Sequence, residues 1–149
     1  MNARHAAATL VALTIATAPA ALAAAPRSRV LNASGELTRT AKPGPLKSVQ
    51  AGTIRGTPFG SGRMVLHSTL KQARVTSTFT LTTPAGRVSG RATARLTLDG
   101  DTATYRGTAT ITSGTRRFRR ATATNIRFTG KGPVSAKRTS VSFTGRVRY

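Results

Sequence analysis

The sequence predicts an all-β protein, an antiparallel meander closed into a small barrel of about eight strands. Three observations predict it. Apolar and polar residues alternate with a period of two along most of the chain, the spacing of a strand with one buried and one wet face. Short turn signals carrying Gly, Pro and Asp separate these runs at hairpin distance. Beyond the first 23 residues, no ten-residue stretch has the apolar spacing of an amphipathic helix.

Residues 1–23 read as a cleavable export signal of bacterial type. Asn2, Arg4 and His5 give a short polar, positive start. Ala6 to Ala21 is apolar around Leu10, Val11, Leu13 and Ile15, and Ala21 and Ala23 put small residues where a signal peptidase reads. The expected cut follows Ala23, since a cut after Ala25 would place Pro26 just past the scissile bond. The apolar part is short for a membrane span, Pro19 interrupts it, and no charge cluster follows. A secreted, extracellular protein is therefore expected. Residues 24–48 read as a basic arm punctuated by Pro26, Pro43, Gly44 and Pro45, with room for a first edge strand at 35–40. Residues 49–149 are expected to form the barrel domain.

Two strands are expected near 49–56 and 62–70, around the turn Thr57-Pro58-Phe59-Gly60-Ser61. The next run puts Val75, Ser77, Phe79 and Leu81 inward against Thr76, Thr78, Thr80 and Thr82. The clearest is 87–98: Val88, Gly90, Ala92, Ala94, Leu96 and Leu98 share one face, and Arg87, Ser89, Arg91, Thr93, Arg95 and Thr97 the other. Ala103, Tyr105, Gly107, Ala109 and Ile111 repeat the design, as do Val141, Phe143, Gly145, Val147 and Tyr149. Turns are expected at Pro84-Ala85-Gly86, Asp99-Gly100-Asp101, Ser113-Gly114-Thr115 and Gly130-Lys131-Gly132-Pro133. Hairpins that follow one another without long crossovers favour a closed barrel, which leaves no sheet edge exposed.

The charge balance is extreme: 24 Lys and Arg face only Glu36, Asp99 and Asp101, for a formal net charge of +21. Removing the export signal takes away only Arg4. Such a field attracts polyanions and repels other copies of the chain. With no cysteine, neither a disulfide nor a thiolate metal site can hold the fold together, so packing and sheet hydrogen bonds carry it.

Catalytic chemistry finds little to work with. Acid–base catalysis needs a positioned His or carboxylate. Beyond the export signal the chain has one histidine, His67, beside Leu66 and Ser68 on an expected strand. Asp99 and Asp101 fall in a turn, where Asp bonds backbone amides. Glu36 stands near arginines that could pair with it. No phosphate-cradling Gly-rich loop, His-Glu-x-x-His motif or nucleophile elbow occurs. No catalytic, cofactor-binding or metal-binding residue is assigned, and no cofactor is expected. Asn32-Ala33-Ser34 matches a glycosylation sequon but is set aside given a bacterial-type signal.

The segment Ser113-Gly114-Thr115-Arg116-Arg117-Phe118-Arg119-Arg120-Ala121 follows the strand Tyr105–Ile111 and precedes Ile126-Arg127-Phe128-Thr129-Gly130. With Phe143-Thr144-Gly145, it resembles the allene oxide cyclase and dirigent-type β-barrels. In that family a strand runs into a glycine-rich turn, an aromatic and Gly-Ala follow, and a Phe-x-Gly strand ends the chain. The resemblance covers about Gly86 to Tyr149, and Gly52-Thr53-Ile54 with Pro58-Phe59-Gly60 extends it. Ser113, Arg116 and Arg120 depart from it, standing where the family has glycine. The resemblance implies a barrel with an apolar cavity that binds or isomerises a small hydrophobic ligand. No catalytic residue carries over.

The residues themselves point instead to a cationic surface. Arg87, Arg91 and Arg95 lie four apart on one strand face. Arg106, Arg146 and Arg148 point outward from other strands. Arg116, Arg117, Arg119 and Arg120 crowd one end. Arginine forks bind phosphate and carboxylate bidentately. The expected partners are anionic polymers: cell wall, acidic polysaccharide, or nucleic acid bound non-specifically, since the outward faces lack the aromatics that stack on bases. A second expectation is a barrel that holds a small apolar ligand in a closed-bottom cavity of several hundred Å³.

Overall fold

The computed structural model describes residues 24–149. The export signal expected at 1–23 lies outside them. Eight antiparallel strands run in chain order and close into a barrel: β1 (Ser28–Gly44), β2 (Lys47–Thr57), β3 (Gly60–Lys71), β4 (Arg74–Thr83), β5 (Gly86–Asp99), β6 (Thr102–Gly114), β7 (Ala123–Pro133) and β8 (Arg138–Arg148). The fold is the all-β meander barrel that the alternation predicts. Among the described residues the only helical element is a single 3₁₀ turn, Arg116–Phe118, between β6 and β7. No helix there is long and apolar enough to cross a membrane.

The barrel closes where β1 pairs with β8, from Ser28 opposite Arg148 to Thr38 opposite Arg138. β1 also pairs with β2 along most of its length. This corrects the reading of 24–48 as an arm with an edge strand. Leu31, Ala33 and Leu37 alternate inward and are buried, so β1 is held by packing and by hydrogen-bonded neighbours on both sides. The prolines that suggested a loose arm sit where β1 runs out into its turn with β2, at Pro43 and Pro45, and ahead of the strand, at Pro26.

A second correction concerns Gly130 to Pro133. These residues do not turn. They are the end of β7, paired with Thr102 to Tyr105 of β6, and the chain reverses over residues 134–137. Gly130 is buried in the strand because Tyr105 lies against it: a methyl there would come within 3.3 Å of the Tyr105 ring.

The inward face is apolar and the outward face carries threonine and arginine. That is the reverse of a membrane barrel, whose lipid face is apolar. Buried Leu31, Ile54, Met64, Phe79, Val88, Ile126 and Phe143 fill the middle of the barrel, leaving a void of only about 20 Å³. Small inward residues let the strands coil around these side chains. Gly90 sits under the Phe79 ring, where a methyl would come within 2.6 Å of it. Phe79 leans on Phe143, and Phe143 stacks on Phe128 at 5.1 Å.

The two ends differ. One is plugged. Phe118, only 1% exposed, meets Phe59 edge-on at 5.1 Å and Tyr149 at 5.4 Å. Gly86, at φ +148°, lies where a side chain would run into the Thr115 carbonyl and the Phe118 ring. The other end, where the turns after β1, β3, β5 and β7 gather, is open. Leu98 follows the inward phase of β5 but has passed the closed part of the barrel and is 60% exposed on this rim.

Candidate cationic surface

The period-two pattern sends every second residue of β3 to β6 outward, and the antiparallel register decides which meet. Lys71 stands opposite Arg74, Arg74 opposite Arg95, and Arg95 opposite Arg106. All four are exposed. Strands lie about 4.8 Å apart, so four cations form one row about 14 Å long across four strands. Arg91 and Arg87 continue from Arg95 along β5, each about 13 Å from the last at the rise of a strand. A shallow groove of about 420 Å³ runs beside the row, lined by Arg74, Arg95, Arg106 and Thr93.

Like charges directly opposite on neighbouring strands destabilise a sheet. No carboxylate forms an ion pair with the row among the described residues; Asp99 stands on the same face of β5, four residues beyond Arg95. The single ion pair among the described residues joins Arg138 Nε to Glu36 Oε1 at 3.5 Å, with side chains 74% and 52% exposed, so it contributes little. Asp101 is committed to the turn after β7: it accepts the Ser135 amide at 3.1 Å and the Ser135 hydroxyl at 2.6 Å. The row thus sets one ammonium and three guanidinium groups side by side with no ion-paired carboxylate among the described residues.

The other expected arginines form a second group and two outliers. Arg87 belongs to the plugged end as well as to the column on β5. Its amide donates to Thr115 Oγ1 at 3.0 Å and its carbonyl accepts from the Thr115 amide at 2.9 Å. This fixes the start of the segment carrying Arg116, Arg117, Arg119 and Arg120. Arg148 joins them through paired backbone bonds with Thr122, each 2.9 Å. Arg116 holds φ +52°, the left-handed conformation that glycine would adopt at no cost. Arg146 faces outward from β8 opposite Val30, away from the row. Arg91 lies between Thr78 and Thr110 and meets no second cation across the strands.

Sequence reasoning missed Lys71 and Arg74 as members of the row. They flank a two-residue turn, Gln72 (φ 47°) and Ala73 (φ 62°), that takes the double left-handed form usually signalled by Asn-Gly. Without that signal the register of β3 and β4 could not be read. It also missed Arg39. Two residues beyond buried Leu37 on β1, Arg39 shares the inward phase and is half-buried at the open end. His67 is exposed on the outward face of β3. No three of His, Cys, Asp and Glu gather among the described residues.

Comparison of the chain with protein-family models, with curated proteins and with solved structures returns no match. The fold and surface therefore define the chain by themselves: a closed eight-stranded antiparallel barrel with an apolar interior and an arginine-studded outer wall.

Proposed function

We propose that the protein is an exported, non-catalytic barrel that associates with anionic extracellular polymers through its outer wall. The observation that carries this reading is the row Lys71–Arg74–Arg95–Arg106, set in register and without an ion-paired carboxylate among the described residues. A flat row of cations on rigid strands meets a polymer that presents repeated negative charge, such as a phosphate- or carboxylate-bearing wall polymer, an acidic polysaccharide or nucleic acid. Binding to the last is non-specific, because arginine contacts to backbone phosphate carry no sequence information. The test is retention on immobilised heparin. The protein is expected to bind at physiological salt and to elute only well above it, and elution at low salt would reject the reading.

The cyclase- or dirigent-like alternative requires a deep cavity of several hundred Å³. The middle of this barrel is filled, and the open end holds two adjoining, partly open pockets of about 190 and 200 Å³. The filled middle keeps these pockets shallow, unlike the deep cavity the alternative requires, and leaves the outer wall as the better-supported site.

A further inference from the structure

We infer that the open end of the barrel is a binding site for a small amphiphilic carboxylate, an acid group on a short aromatic or aliphatic body, with Arg39 as its anion anchor. The site is separate from the outer wall. A pocket of about 190 Å³ opens between the turns of this end, lined by Arg39, Gln50, Leu66, Leu96, Tyr105 and Phe128. A second pocket of about 200 Å³ adjoins it and shares Arg39, Gln50, Leu96 and Tyr105. The floor of the first pocket is apolar because the inward phase of β3, β5 and β7 reaches it as Leu66, Leu96 and Phe128. Polar side chains from several strands line the rest of its wall.

Three observations favour an anion. Among the described residues Arg39 is the one arginine that is half-buried, every other arginine being exposed, and no carboxylate there pairs with it. Lys42 and Lys47 stand on the same rim, so three cations surround the entrance and focus a positive potential into a partly apolar cleft. The neighbouring polar side chains are already settled among themselves: Gln50 Nε2 donates to Thr139 Oγ1 at 3.3 Å, and Ser68 and Ser77 hydroxyls share a bond of 2.7 Å. Those bonds fix the wall while leaving the guanidinium fork free to take a carboxylate bidentately. Burial raises the Tyr105 phenol above its ordinary value of 10.0, against the smaller opposing effect of Arg39, so it stays neutral and serves as a hydrogen-bonding group.

Size and rim complete the description of the ligand. An apolar cavity of roughly 150 Å³ holds a benzene ring. A pocket of this size therefore suits an acid of about ten non-hydrogen atoms, with the tail against Leu66, Leu96 and Phe128. Leu46 and Val134 on two turns and Leu98 at the end of β5 are exposed around the entrance, an apolar collar beside the two pockets.

The test is NMR titration of the methyl-labelled protein with benzoate and hexanoate, each paired with its uncharged amide. Both acids are expected to shift the methyls of Leu66, Leu96 and Val141, with dissociation constants at least roughly tenfold tighter than the amides, the worth of one charge-assisted bond. Arg39→Gln is expected to bring each acid down to its amide, while Arg74→Gln/Arg95→Gln/Arg106→Gln leaves the shifts unchanged. Methyl shifts absent at millimolar acid, acids no tighter than amides, or shifts abolished by the outer-wall triple variant would each overturn the site. The acid–amide comparison on the unaltered protein decides the matter even if Arg39→Gln does not fold. A failure here leaves heparin retention untouched.

Discussion

Arg74 and Arg95 stand directly opposite each other on β4 and β5, both exposed on the outer face, with Arg106 next in the same row on β6. Chain entropy and core packing gain nothing from this arrangement, and electrostatics loses by it. On the proposed function the row links stability to binding: whatever relieves the repulsion would also weaken the grip on anions.

Arg95→Gln, at the centre of the row, tests that link. The variant is expected to be more stable than the parent by about 0.2–1 kcal/mol at low salt, the size of a cross-strand pair term. The difference should shrink as salt screens the charges. The same variant should leave heparin at lower salt. Chemical denaturation with urea, which adds no ions, measures the first effect, and elution position the second.

Phe118→Ala removes the plug of the closed end. Phe118 is nearly fully buried between Phe59 and Tyr149, so the expected loss is about 3–5 kcal/mol in urea unfolding. Binding by molecules that remain folded should not change, because the row lies on other strands.

Gly90→Ala adds one methyl beneath Phe79 in a filled core. Overpacking of this kind costs about 1–3 kcal/mol. The urea midpoint should fall and the Phe79 ring should shift, seen as altered aromatic NMR signals. An unchanged midpoint would mean the interior is less tightly filled than the 20 Å³ void indicates.

Tyr105 gives a pH signature. Its folded-state value is raised above the ordinary 10.0. The folded state then holds the phenolic proton more tightly than the unfolded chain, so this contribution is intact below pH 10 and is lost as pH climbs through the folded value. Relative to Tyr105→Phe, the parent should lose stability above pH 10 and show no pH-dependent difference below it.

Most of the barrel was legible because one rule generates it. Where residues alternate cleanly, as from Val88 to Ala94, each side chain's face follows from its position, and the buried set matches. Legibility failed where register depended on turns without a signal. The Gln72-Ala73 turn hid the meeting of Lys71, Arg74 and Arg95, so only Arg95 and Arg106 of the row were expected. Gly130 and Gly132 misled in the opposite direction: glycine marks turns, but Gly130 marks the close approach of Tyr105. The stretch of β1 reads as an arm because Pro26, Pro43, Gly44 and Pro45 punctuate it; the alternation of Leu31, Ala33 and Leu37, which carries the strand, is too short to stand out among them. Arg39 was legible in principle, two residues beyond Leu37, yet a charged residue on an inward phase carries no meaning until the strand is known to reach an open end.

The outer wall is tested most directly by the salt dependence of binding to a single-stranded oligonucleotide, used as a simple polyanion, for the parent and for Arg74→Gln/Arg95→Gln/Arg106→Gln. Each phosphate contact contributes a slope of about −0.7 to a plot of log affinity against log salt. The triple variant is expected to bind more weakly at every salt concentration, with a slope shallower by about 2. Equal slopes for the two proteins, or no binding by the parent even at low salt, would contradict the assignment of this row as the anion-binding surface.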